Sequence, residues 1–168
     1  MKVILLTHER EVSRLTNTGL VALERFPDWC ARVIWSRVEP DDEIVDLLSS
    51  KRAAVLFPKP VLSKETGDSM VQAPMEELNL YLNEIPEIII ILDAIWQEAR
   101  KMIRQSPYLA TANKYALTQG GDSQFNLRRN QIPGGLCTLE CIIQLCHSAK
   151  MSEEALELEA AYIALNQR

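Results

Sequence analysis

The chain predicts a single α/β domain, a mostly parallel sheet flanked by helices, on three observations. Short apolar runs rich in Ile, Val and Leu recur at 3–6, 31–35, 53–57 and 88–92, and polar, helix-compatible stretches alternate with them. One run, Ile88-Ile89-Ile90-Ile91-Leu92, is aliphatic at every position, as a strand covered on both faces of a parallel sheet must be. Finally, 168 residues fit one domain that buries roughly 70% of its unfolded surface.

Taken in order, Val3 to Leu6 reads as the first strand, and Thr16-Asn17-Thr18-Gly19 opens a helix that runs to about Arg25. Ala31 to Trp35 is the second strand, Asp41 to Leu48 a helix after Pro40, and Ala53 to Phe57 a third strand stopped by Pro58. Pro60, Gly67 and Pro74 punctuate a polar stretch from Lys59 to Pro74, which predicts a long loop able to fold over a ligand. Residues 75–83 read as helical. The fourth strand and its helix follow, then a short strand at Tyr115 to Leu117, a helix from about Thr138 to Ser148, and a last amphipathic helix opened by Ser152 and Glu153.

Composition narrows the function classes. The opening Met-Lys-Val-Ile-Leu-Leu holds too short an apolar run for a secretory leader, and Ile88 to Leu92 is far too short to span a bilayer, so a reduced, cytoplasmic protein is expected. Cys30, Cys137, Cys141 and Cys146 contain no CxxC pair, and only His8 and His147 are available as imidazole ligands, so no metal site is expected. The net charge of −5 argues against a dedicated nucleic-acid binder, but the acidity is segregated. Between Asp93 and Pro133 there are six basic residues, Arg100, Lys101, Arg104, Lys114, Arg128 and Arg129, against Asp93, Glu98 and Asp122. Glu153, Glu154, Glu157 and Glu159 lie in the last helix. A basic patch on one face can steer phosphates despite the net charge.

The chemistry-bearing stretch is 88–104, where the apolar run ends on Asp93 and passes into a helix carrying Trp96, Arg100 and Lys101. A strand that ends on a carboxylate presents it at the carboxyl edge of the sheet, where α/β domains bind ligands. Asp93 is therefore read either as a general base or as a helix cap. Trp96 is read as core packing or as a stacking face for a base, and the cations as phosphate contacts or a solvated helix face. A second stretch, 125–143, sets Arg128 and Arg129 before Pro133-Gly134-Gly135, after which Cys137 or Thr138 caps a helix with Glu140 in its first turn. A helix start can also activate a thiol, which leaves Cys137 as a lesser candidate nucleophile.

Together these stretches resemble the DTW-domain family. Leu92-Asp93-Ala94-Ile95-Trp96-Gln97-Glu98-Ala99-Arg100-Lys101-Met102 is similar to its LDGTWxxARKM element. Phe125 to Arg129 followed by Pro133 to Cys141 is similar to its aromatic-x-LR…P-G-LSTLEA element. His8-Glu9, Thr16-Asn17-Thr18-Gly19 and Leu56-Phe57-Pro58 are similar to its HPxE, TNTG and LxP elements. The chain departs from the pattern at Ala94 and Ile95, where Gly-Thr is usual, at Cys137 for Ser and at Cys141 for Ala; the N-terminal cysteine cluster of many relatives is also missing from the sequence.

The resemblance implies a tRNA-uridine aminocarboxypropyltransferase, which moves the 3-amino-3-carboxypropyl group of S-adenosylmethionine to N3 of a uridine in tRNA and releases methylthioadenosine. It implies a SPOUT-like fold with a C-terminal trefoil knot; because N3 of uridine is a poor nucleophile while protonated, a general base is expected, and Asp93 is the carboxylate placed for it. It sets Leu56, Phe57, Pro58, Leu92, Gly134, Gly135, Leu136, Thr138 and Glu140 against the donor. Asn17, Thr18, Trp96, Arg100, Lys101, Arg128 and Arg129 are left for the RNA, Asn17 and Thr18 reading equally as a turn and helix cap. Two rivals remain open: methyl transfer from the same donor, and an inactive RNA-binding relative, which Ala94 and Ile95 suggest.

Overall fold

A computed structural model describes residues 1–59, 78–118 and 135–167. Among them five strands, β1 (Lys2–Thr7), β2 (Cys30–Ile34), β3 (Ala53–Leu56), β4 (Ile88–Asp93) and β5 (Lys114–Tyr115), form one sheet in the order β2-β1-β4-β3-β5. Every pairing is parallel. The all-apolar β4 takes the central position, hydrogen-bonded to β1 on one side and β3 on the other.

The period-2 alternation of a strand decides which helices cover which face. Val3 and Leu5 with Ile89 and Ile91 pack under α2 (Gly19–Arg25), α6 (Thr138–Ser148) and α7 (Ser152–Asn166), together with Leu139, Ile142, Leu145 and Leu158. Leu6, Ile90 and Leu92 face the other way, onto α3 (Asp42–Ser49), α4 (Trp96–Gln105) and α5 (Pro107–Ala110), through Ile44, Leu48, Met102 and Leu109. Each such fully buried aliphatic side chain contributes on the order of 2 kcal/mol. Between β1 and α2 lies a separate one-turn helix, α1 (Glu9–Val12). α3 is started by Asp41, whose carboxylate accepts from the Ile44 amide. It ends in paired bonds, Lys51 N to Leu48 O and Arg52 N to Leu47 O, with Lys51 at φ 60°. α6 ends the same way, with Lys150 at φ 60°.

Several expectations are corrected. The predicted helix over 75–83 does not reach its far end: residues 79–80 form a turn and Tyr81 bridges to Lys114. The fifth strand falls at Lys114–Tyr115, one residue earlier than predicted. Lys114 is buried and donates to the Ala110 and Ala112 carbonyls, so it belongs to the interior and adds nothing to a basic surface. The last helix is apolar on two sides: Ala155 and Leu158 are buried, while Leu156 and Ile163 are 64% and 57% exposed. No helix among the described residues is long and apolar enough to cross a membrane. The chain between β5 and α6, residues 119–134, on which any test of the expected trefoil knot depends, lies outside the described residues, as do most of the predicted loop 59–74 and Gly134, Arg128 and Arg129.

Candidate active site at the carboxyl edge of the sheet

The alternation that buries Ile89 and Ile91 under α6 sends Asp93, two residues on, to the same face. Its register partner Thr7 points there too. Asp93 is completely buried, and its two oxygens accept three hydrogen bonds: from Thr7 Oγ1 (3.1 Å) and Asn17 Nδ2 (2.9 Å) on Oδ2, and from Thr138 Oγ1 (2.9 Å) on Oδ1. The Arg32 guanidinium stands 3.9 Å from Oδ2. Arg32 Nε and Nη2 are buried without a hydrogen-bond partner among the described residues, which leaves Asp93 as their nearest counter-charge.

In this conformation Asp93 is a buried acceptor that ties three parts of the chain together. Three of the roughly four acceptor positions of a carboxylate are occupied. Nor is Asp93 the cap of the following helix. That position is Ile95, whose side chain can accept nothing, so α4 starts without a side-chain cap.

The Thr16-to-Gly19 segment explains how the junction closes. Asn17 Oδ1 accepts from Gly19 N (2.9 Å), a tight turn of the Asx type, while its Nδ2 reaches Asp93 and the Glu11 carbonyl. Thr18 does not cap its own helix; its Oγ1 accepts from Leu139 N (3.2 Å) and so caps α6 from another part of the chain. Gly19 is required by space. A Cβ there would lie 2.8 Å from Leu5 Cδ1, 3.1 Å from Asn17 Oδ1 and 3.2 Å from Thr138 Cγ2. Asn17 and Thr18 are 3% and 2% exposed, so in this conformation neither presents a side chain to an RNA.

The start of α6 is fixed a second time. Glu140 Oε2 accepts from Cys137 N (2.7 Å), and Tyr162 on α7 donates to Oε1 (2.7 Å). Cys137, not Thr138, is the residue at the cap position. Burial pushes its thiol up to about 11, the opposite of an activated nucleophile. Burial likewise pushes the Cys30, Cys141 and Cys146 thiols up to about 12.

The remaining expected residues separate into two groups. Phe57, at the end of β3, stacks on Trp96, with ring centroids 5.3 Å apart and an interplanar angle of 15°. Both rings are half-buried, so Trp96 packs and keeps an aromatic surface at the edge of the sheet. Pro58 is exposed, and its carbonyl accepts from Tyr81 Oη (2.8 Å). Leu92 is buried toward α4, Leu56 is half-buried, and Gly135 and Leu136 are half-buried ahead of α6. Arg100, Lys101 and Arg104 are exposed on α4, opposite the buried Ala99 and Met102.

Sequence reasoning missed a second cluster beside the junction. His8 is 6% exposed and stacks on Trp35 (5.4 Å), its Nδ1 accepts from Arg10 N, and its Nε2 lies 3.4 Å from Glu98 Oε2. Arg10 pairs with the same carboxylate at 3.0 Å. The His8-Glu9 element was the available signal; its partners Trp35 and Glu98 lie too far along the chain to be paired with it by spacing. Among the described residues no group of three His, Cys, Asp or Glu side chains is placed to hold a metal.

The family model of the DTW domain matches residues 1–168, the whole chain. The chain belongs to the DTW-domain family. No solved structure matches it. Membership is consistent with a tRNA-modifying function, and it gives the convergence at Asp93 a meaning. In this DTW domain the Asp of the LDxxW element is bound by the Asn of TNTG and by the Thr that opens α6, so three separated motifs are parts of one polar junction.

Proposed function

We propose that this DTW domain transfers the 3-amino-3-carboxypropyl group of S-adenosylmethionine to N3 of a uridine in tRNA. The observation that carries the reading is the convergence of residues 17–19, 93 and 138–140 on one buried carboxylate at the carboxyl edge of the central strand. Ligands of α/β sheets bind at that edge. The donor supplies an electrophilic carbon next to its sulfonium: N3 bonds to that carbon, the carbon–sulfur bond breaks, its electron pair stays on sulfur, and methylthioadenosine leaves.

The chain's own residues supply placement. Leu56, Phe57, Pro58 and Leu92 at the ends of β3 and β4, with Gly134, Gly135 and Leu136 before α6, would hold the donor. The donor's adenine needs an apolar or aromatic surface, and the half-buried Phe57–Trp96 pair suits it. The exposed Arg100 and Lys101, together with Arg128 and Arg129, would meet RNA phosphates, which makes binding fall with salt. Asp93 joins the motifs. To take the N3 proton as well, it would use the acceptor position left on Oδ1 or release a hydroxyl donor, either Thr138 or Thr7, the latter having the Leu5 carbonyl as a second acceptor. The same reading includes a SPOUT-like fold with a C-terminal trefoil knot, which a donor-bound crystal structure would test.

The test is methylthioadenosine release from S-adenosylmethionine with bulk tRNA, with mass analysis of the RNA. An adduct of the aminocarboxypropyl mass is expected. A methyl adduct would turn the reading into methyl transfer, and donor binding without either product would identify an inactive RNA-binding relative, the reading suggested by Ala94 and Ile95.

A further inference from the structure

We propose that Tyr162, on the last helix, is a positioning residue for donor binding, holding Glu140 so that the start of α6 is fixed where the donor meets it. The inference rests on the transferase reading above in one respect only, that Gly135 and Leu136, ahead of α6, contact S-adenosylmethionine.

The two oxygens of Glu140 are held by different parts of the chain. Oε2 accepts from the amide of Cys137, three residues earlier, and Oε1 accepts from the phenol of Tyr162, 22 residues later, both at 2.7 Å. A carboxylate held at one oxygen can pivot about that bond; held at both, its plane is defined. What it fixes is the cap residue Cys137, flanked by Leu136 on one side and on the other by Thr138, whose hydroxyl is bonded to Asp93. The family resemblance sets Glu140 among the donor contacts. The geometry gives its carboxylate to the helix start instead, so it serves the donor through the backbone it orients.

Tyr162 is not on a loose tail. The helix that carries it buries Ala155 and Leu158 completely, and it is tied to α2 by Arg25–Glu157 (2.8 Å) and to α6 by His147–Glu159 (2.7 Å). Burial and the neighbouring Glu140 carboxylate hold the phenol above its ordinary range, so it remains a donor throughout the neutral and mildly alkaline region.

The experiment compares Tyr162→Phe with His147→Ala, which cuts a different tie of the same helix. Calorimetry with S-adenosylmethionine alone measures Kd, and methylthioadenosine release measures KM and kcat. Tyr162→Phe is expected to raise Kd and the donor KM about 3- to 10-fold, the worth of one net hydrogen bond, with kcat within about twofold. The melting temperature should fall by no more than about 4 °C. His147→Ala is expected to leave Kd unchanged. Unchanged donor affinity in Tyr162→Phe overturns the inference, and so does an equal loss in both variants, which would indicate general loosening of the helix. Wild-type protein that binds the donor yet releases no methylthioadenosine overturns the transferase reading while the Kd comparison still decides the role of Tyr162. Wild-type protein that does not bind the donor overturns both.

Discussion

Two helices begin at the candidate site and they begin in opposite ways. α6 is held by Thr18 on its Leu139 amide, by Glu140 on its Cys137 amide, and by the Thr138 hydroxyl on Asp93. α4 starts three residues after Asp93, with Ile95 at its cap and no side-chain oxygen to meet its first-turn amides. The difference shows where this fold invests its local order: the motif that lies late in the sequence is fixed by its neighbours, and the motif that gives the family its name is left with an unfinished helix end. The Ile95 departure from Gly-Thr is then a lost cap before it is a lost catalytic hydroxyl, because position 95 is the one whose hydroxyl would accept from the first turn.

Breaking the tight side should have the largest effect. Asp93→Ala removes the acceptor of three buried donors and the counter-charge of Arg32, and should destabilise the domain by about 3–5 kcal/mol in denaturant unfolding. A loss under about 1 kcal/mol would mean that water replaces the carboxylate and that the start of α6 is not held there. Finishing the loose side should have a smaller effect of opposite sign. Ile95→Thr supplies the missing cap and should stabilise by about 0.5–1 kcal/mol, allowing for the apolar contact that half-buried Ile95 gives up. A melting temperature higher by about 2–4 °C would record it, and a decrease would show that the isoleucine was retained for packing. Smallest of all is the far end of α6, where Lys150 takes φ 60° in the position glycine favours. Lys150→Gly should gain a few tenths of a kcal/mol, roughly 0.5, with no change in donor affinity, since it relaxes the helix at the end remote from Asp93.

Much of the frame was legible in the residues. The strands starting near Val3, Ala31, Ala53 and Ile88, and the helix Thr138–Ser148, fall within a residue or two of the pattern because apolar runs, Pro58 and the cap residues act locally. The one-turn helices Glu9–Val12 and Pro107–Ala110 escaped because a single turn has no periodicity to read. Residues 75–83 misled because a helix-like apolar spacing cannot register that Tyr81 bridges to Lys114 and that its hydroxyl reaches Pro58. The sequence predicts an amphipathic last helix, whereas exposed Leu156 and Ile163 give it a second apolar side.

At the site, residue types were legible and partners were not. Asp93 stood out as a carboxylate at a strand end, but its donors lie 86, 76 and 45 residues away in the chain, beyond the reach of any local pattern. The same distance hid the exchange by which Thr18 caps a helix that is not its own. Tyr162 carried no signal at all, since a lone tyrosine in a helix reads as packing until its hydroxyl is seen on Glu140.

The separation of those donors bears on how the protein is made. On the ribosome, the first strand and Asn17 are finished long before Asp93, and Thr138 appears only when four-fifths of the 168 residues have been synthesised. Until then the central strand carries a carboxylate with an incomplete set of partners. A chain interrupted before that point lacks the Thr138 hydroxyl, and its central strand keeps at most two of the three donors that satisfy Asp93.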